Sequence, residues 1–250
     1  MYPIIIHIPH SAVFIPEEIK ENFLIVQNEL EYELLVMTDW YTDELFRHPK
    51  VGYQKSTVSR LVFDPERFRD DEMEPMAERG MGVVYTRTSS GSTLMNATDE
   101  YKERILHDYY DVYHELFNNK VDSILYQYNK CLIIDAHSFP SKPLPYETMQ
   151  SLDRPDICIG VDDYFTPQEL VFETEELMSK SDLKCAINNP FSGSFITSKH
   201  YTSRDSRVKS IMIELNRGLY MDEATGKKNK RFHQIGNLIN DLIEKLTKSF

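Results

Sequence analysis

Three apolar runs in this chain end in residues that can hold a metal ion or move a proton. Pro3 to Ile8 leads into Pro9-His10-Ser11, Lys130 to Ile134 into Asp135-Ala136-His137, and Ser210 to Ile213 into Glu214-Leu215. If the runs are strands of one sheet, their carboxyl ends lie side by side, which is where open α/β sheets bind ligands. Asp135 and His137 stand two apart, so in extended chain they point to the same side. A carboxylate there either joins the site or orients a metal-bound imidazole. A catalytic zinc commonly takes three protein ligands, and imidazole and carboxylate are among its preferred donors. His10 and His137 supply two. For the third, Asp39 and Asp43 are four apart on one expected helix and share a face, and spacing does not choose between them. Glu214 closes an apolar run, where a carboxylate is costly to bury unless paired. It reads either as a general base with a burial-adjusted pKa or as the ion-pair partner of nearby Arg217.

Capture of an anion calls for arginine, whose planar guanidinium grips a carboxylate through two hydrogen bonds. Arg60, Arg67 and Arg217 are the candidates. Gly193, in Asn189-Pro190-Phe191-Ser192-Gly193, can let backbone approach a ligand closely. There is no GxSxG elbow for serine hydrolysis and no glycine-rich phosphate loop.

The elements that must position these residues follow from periodicity. Strands are expected at Pro3 to Ile8, Thr57 to Val62, Lys130 to Ile134, Ile157 to Val161 and Ser210 to Leu215. Helices are expected at Glu29 to Phe46, Tyr101 to Asn129 with a break at Asn118-Asn119, Thr166 to Ser179 with Thr166 as N-cap, and Phe232 to Leu246. Strands alternating with helices imply an α/β fold with a mostly parallel central sheet and helices on both faces. No linker or internal repeat divides the 250 residues, so one domain over residues 1–250 is expected.

Composition narrows the classes further. Charged residues make up 27% and the net charge is −12, so the basic footprint of a nucleic-acid binder is missing. Lys227 to Arg231 is a short basic stretch expected in a loop. No segment approaches the length of a membrane span. Three cysteines without CxxC spacing argue against a disulfide framework and a cysteine-bound zinc, and suggest a cytoplasmic setting.

Several segments, taken in order, resemble the N-formylglutamate amidohydrolase family. They are Ile6-His7-Ile8-Pro9-His10-Ser11, Thr38-Asp39-Trp40-Tyr41-Thr42-Asp43, Ser59-Arg60 through Asp64-Pro65-Glu66-Arg67, and Asp135-Ala136-His137-Ser138. Near the end come Pro190-Phe191-Ser192-Gly193, His200-Tyr201, and Ile213-Glu214-Leu215 with Arg217 and Tyr220. The resemblance spans nearly the whole chain. It implies a phosphorylase/hydrolase-like α/β fold related to zinc exopeptidases. It further implies one zinc per chain (another divalent ion is the alternative) on His10, Asp39 and His137, with Glu214 as general base. Arg60, Arg67 and His200 become candidates for gripping substrate carboxylates or polarising the carbonyl, and Asp135 and Asp43 take supporting places around the metal. The implied substrate is a small acidic N-acyl amino acid, foremost N-formyl-L-glutamate, cleaved to formate and glutamate. The alternatives are a zinc deacylase or carboxypeptidase-like hydrolase of another N-acyl substrate, and a non-catalytic protein that binds an acidic metabolite. The chain departs from the family's usual residues at Ala12, where glycine is usual, and at Glu66, where asparagine is usual. Glu66 sets a negative charge beside Arg67 that opposes capture of an acidic substrate. The loop from Arg67 to Arg87 differs in length and charge as well.

Overall fold

A computed structural model describes residues 1–250. The chain runs β1 (Ile4–Ile8), α1 (Glu17–Lys20), α2 (Gln27–Met37), α3 (Thr42–Leu45), β2 (Gly52–Lys55), α4 (Asp99–Ile105), α5 (Val112–Tyr128) and β3 (Cys131–Phe139). It continues through β4 (Ile157–Gly160), α6 (Gln168–Ser179), β5 (Cys185–Ile187), α7 (Ser198–Thr202), β6 (Val208–Asn216), the hairpin strands β7 (Met221–Asp222) and β8 (Lys227–Lys228), and α8 (Phe232–Ser249).

Six strands form one sheet in the order β2-β1-β3-β6-β4-β5. Every neighbouring pair is parallel except β6 with β4, which is antiparallel. The alternation of side chains along each strand divides the core into two layers. Ile4, Ile6 and Ile8 of β1, Leu132 and Ile134 of β3, and Ile211, Ile213 and Leu215 of β6 face α6 and α8. The apolar stripe of α8, Ile235, Ile239, Leu242 and Leu246, recurs every three or four residues and closes that side. Ile5, Cys131, Ile133 and Val208 face the other way, against Tyr113, Phe117, Val121 and Leu125 of α5. The sheet is therefore mostly parallel and has helices on both faces. No helix is long and apolar enough to cross a membrane. All three cysteines are free.

Four local expectations are corrected. Glu29 to Phe46 is not one helix. Thr38 is extended, with φ −77° and ψ 137°, and Tyr41 is left-handed, with φ 64°, so the chain breaks between α2 and α3. Thr57 to Val62 is a turn rather than a strand, and the edge strand lies earlier, at β2. Its serines bond the local backbone instead of a neighbour: Ser56 Oγ donates to the Val58 carbonyl and Ser59 Oγ accepts from Leu61 N–H. The long helix is not broken at Asn118-Asn119. Its irregularity is a π-helical stretch at Leu106–Asp111 that joins α4 to α5. The N-cap of α6 is Pro167, one residue beyond Thr166, whose hydroxyl instead accepts from Asp162 N–H.

Candidate active site

The two central strands extend further than the apolar runs suggest, and this places the chemistry. β3 continues to Phe139, so Asp135 and His137 are strand residues, and in the parallel register His137 lies opposite Glu214 of β6. Asp135, His137 and Glu214 all project on the α5 side, because Ile134, Ala136, Ile213 and Leu215 fill the other face. His7 of β1, paired in register with Asp135, projects there too and packs against Phe117 and Phe195.

His10 arrives from the end of β1. Asp39 arrives from the break between α2 and α3, where its N–H donates to the His10 carbonyl at 3.0 Å and the Asp39 carbonyl accepts from Thr42 Oγ1. His10, Asp39 and His137 are all buried. Asp39 Oδ2 stands 3.2 Å from His137 Nδ1 and 3.6 Å from His10 Nδ1. The far nitrogens are held by other carboxylates: His10 Nε2 donates to Asp64 Oδ1 at 2.8 Å and His137 Nε2 to Asp135 Oδ1 at 3.0 Å. Asp135 is fixed in turn by His7 Nδ1 at 2.8 Å and by Phe195 N–H at 3.0 Å. Arg217 Nη2 donates to Asp39 Oδ1 at 2.9 Å, which leaves Oδ2 turned to the two imidazoles.

The two Asp39 spacings suit a zinc-like cation. A tetrahedral ion with ligands near 2.0–2.1 Å separates its donors by roughly 3.3 Å, close to both Asp39 contacts. His10 Nδ1 is buried without a hydrogen-bond partner. A carboxylate on the far nitrogen of each ring is the usual support of a metal-bound histidine, since it leaves the near lone pair free. Glu66 offers a second grouping, because donor atoms of His10, Glu66 and His137 lie within 4.8 Å of one another. His137 meets Glu66 through Nε2, which Asp135 also holds, whereas the Nδ1 atoms of both rings face Asp39; a further grouping joins His7, Glu66 and Asp135.

Glu214 is buried, and its Oε2 lacks a hydrogen-bond partner. Burial first, then the carboxylates of Asp39, Glu66 and Asp135, push its pKa up to about 8, against the opposing effect of His137. Burial disfavours the charged form of His137, but Glu66 and Asp135 outweigh it and raise the ring well above its ordinary value. Asp64, fully buried, is nonetheless held well below the carboxylate range by His10, Arg60 and Arg67.

His10, Asp39, Arg60, Arg67, His137, Glu214 and Arg217 all border one cavity of about 240 Å³. Three other residues singled out in the sequence lie elsewhere. Asp43 is on α3 and pairs with Lys55 rather than with the histidines. His200, on α7, bonds Thr197 Oγ1 at 2.6 Å and Asp122 at 3.2 Å. Gly193 takes φ 87° in a turn whose preceding residues, Pro190 to Ser192, form the cavity wall. Sequence reasoning missed His7 as a positioning group; the signal was a lone imidazole inside a run of isoleucines. It also missed Asp64, hidden in a polar loop.

The family model described as N-formylglutamate amidohydrolase matches residues 2–221. The chain belongs to that family. It is 23% identical over 231 residues to the N-formylglutamate deformylase of Pseudomonas putida, covering 89% of this chain and 83% of that protein. The crystal structure of N-formylglutamate amidohydrolase from Ralstonia eutropha JMP134 superposes with a TM-score of 0.84 at 21% identity, over 99% of this chain and 94% of that one. A gene product from Agrobacterium tumefaciens matches with a TM-score of 0.65 at 15% identity, over 99% of this chain and 92% of that one. The fold is thus the phosphorylase/hydrolase-like, zinc exopeptidase-related α/β fold expected of the family.

Proposed function

We propose that the protein is a metal-dependent amidohydrolase that cleaves the amide bond of an N-acyl amino acid, with N-formyl-L-glutamate as the lead substrate and formate and glutamate as products. The observation that carries this is the pair of buried histidines, each braced on Nε2 by a carboxylate and turned by Nδ1 toward one oxygen of Asp39. His10, Asp39 and His137 would hold the ion, which supplies a Lewis acid for the acyl carbonyl and an acidified water.

This chain's residues supply the remaining work. Glu214, opposite His137, moves the proton. Its raised pKa suits delivery to the leaving amine, and a cation held by the histidines would lower it toward the range of a base. Arg67 has the free guanidinium for a substrate carboxylate: its buried Nε lacks a hydrogen-bond partner and stands 3.6 Å from Asp64 Oδ2. Arg60 donates to Asp64 at 2.8 Å and to Tyr85 OH at 3.1 Å, so it braces the loop beside Arg67. Arg217 is fully engaged with Asp39, Ser138 and the Val36 carbonyl and acts as a positioning residue for Asp39. We further read residues 1–250 as one domain, since β1, β3 and β6 of one sheet all contribute to the site.

The test is metal content of the purified protein together with formate release from N-formyl-L-glutamate, with and without added zinc. Metal near one per chain with metal-dependent formate release supports the reading. Apo protein that takes up no zinc removes it.

A further inference from the structure

Arg67 reaches the cavity from a segment with almost no backbone bonds of its own. From Pro65 to Phe68 the one backbone bond is a long one, from Arg67 N–H to the Asp64 carbonyl at 3.4 Å. The carbonyls of Pro65 and Arg67 are held instead by side chains of the long helix. Tyr110 OH donates to the Arg67 carbonyl at 2.8 Å, and His114 Nε2 donates to the Pro65 carbonyl at 2.9 Å. A carbonyl only accepts, so the second bond keeps the His114 proton on Nε2. The two rings lie against each other, with centroids 4.1 Å apart. Beside them Asp111 takes Arg69 through two bonds of 3.0 and 3.1 Å at the surface. Tyr110 and Asp111 belong to the π-helical stretch between α4 and α5, and His114 lies in the first turn of α5. π-helical turns are rare and concentrate at functional sites. This one lies where the helix meets the segment that carries Arg67.

Arg67 borders the cavity, and Tyr110 and His114 do not. We infer that Tyr110 and His114 are positioning residues: they hold the backbone at Arg67 so that its guanidinium meets the substrate carboxylate. The inference rests on the capture role given to Arg67. That grip is geometric as well as electrostatic, because a bidentate pair needs two N–H groups aligned with two oxygens. Loss of either helix bond frees the carbonyl it held and lets the guanidinium drift. Binding then weakens in the ground state and the transition state alike, so the effect falls on KM rather than kcat. A merely structural role would lower stability without that split.

A double-mutant cycle on the zinc-loaded enzyme tests this, with N-formyl-L-glutamate as the probe. Tyr110→Phe removes one hydroxyl and should raise KM about three- to tenfold with kcat nearly unchanged. In an Arg67→Met background the same substitution should add nothing, because the group it positions is gone. His114→Leu, which removes the bond to Pro65, should repeat both results. Equal factors in the two backgrounds overturn the inference, as does a raised KM in Arg67→Met beside an unchanged KM in Tyr110→Phe and His114→Leu. An unchanged KM in Arg67→Met itself removes the capture role of Arg67, and the inference with it. If nothing is hydrolysed, the amidohydrolase reading fails on its own. The same cycle is then read from calorimetric dissociation constants, and absent binding overturns the inference as well.

Discussion

Asp135→Asn tests the proposed metal site through a residue outside its proposed ligands His10, Asp39 and His137. Asp135 Oδ1 accepts from His7 Nδ1 and His137 Nε2, at 2.8 and 3.0 Å, and Oδ2 accepts from Phe195 N–H at 3.0 Å. An asparagine in this place has one acceptor oxygen. If it keeps both imidazoles, its NH2 faces the Phe195 N–H, and a buried donor loses its partner. That loss costs about 1–3 kcal/mol, and the exchange of charge-assisted bonds for neutral ones adds about 1 kcal/mol. Apo stability should fall by about 2–4 kcal/mol, read from urea midpoints. The second readout is metal affinity. Asp135 keeps the His137 proton on Nε2 and the lone pair on Nδ1, and loss of such support costs about 10–100-fold. Glu66 Oε1 also stands 3.0 Å from that nitrogen and can take over part of the role, so the low end, about tenfold, is expected. Competition with a chromophoric chelator measures it. Unchanged or tighter zinc binding, alongside a normal stability loss, would refute Nδ1 coordination and favour the grouping of His10, His137 and Glu66.

Three further outcomes follow from the same geometry. Glu214→Gln should keep its metal and lose turnover by about 10²–10⁴-fold; loss of metal in that variant would make Glu214 a ligand. Arg217→Met strands the buried Asp39 carboxylate beside no guanidinium and should destabilise the apo protein by about 3–5 kcal/mol in chemical denaturation; a shift below 1 kcal/mol would show Asp39 is compensated by the histidines alone. Burial, then His7, lowers His114 to about 4, so the folded protein refuses a proton that the unfolded chain accepts near 6.5. Stability from this group is complete above pH 6.5 and falls as pH drops toward 4, by up to about 3 kcal/mol. His114→Gln should flatten that acid limb, and identical limbs in urea titrations at pH 7 and 4.5 would contradict it.

The parts of the site carried on strands were legible in the sequence, and the parts carried on loops only in part: Arg60 and Arg67 were named and Asp64 was not. Isoleucine runs mark β1, β3 and β6 because strands buried on both faces are apolar throughout, and a histidine or carboxylate interrupting such a run stands out. Asp39 was ambiguous with Asp43 because a helical reading puts both on one face. The break is made by the left-handed Tyr41, and a non-glycine residue at positive φ leaves little trace in sequence. The turn at Ser56 to Val62 was masked by β-branched and apolar residues that satisfy strand propensity while two serine hydroxyls hold the backbone in a turn. His200 was a candidate only through the family resemblance, and its bonds to Thr197 and Asp122 place it with α5 and α7, outside the cavity wall.

One sheet face carries all the strand-borne chemistry for a reason that begins with alternation. In β3 the α5-facing positions read Cys131, Ile133, Asp135, His137, so the same face passes from apolar to ionisable along one strand. β6 repeats the change, from Val208 through Ser210 and Met212 to Glu214, and β1 does so from Ile5 to His7. On the opposite face the same strands are apolar from Ile4 to Ile8, from Leu132 to Ala136 and from Ile211 to Leu215, where α6 and α8 cover them. Removing apolar cover on one side only makes a pocket with a rigid floor. The floor positions His137 and Glu214, while the segments bearing His10, Asp39 and Arg67 close over it. A site so divided should tolerate changes in its loops with altered substrate choice, and changes in its strands only with loss of the fold.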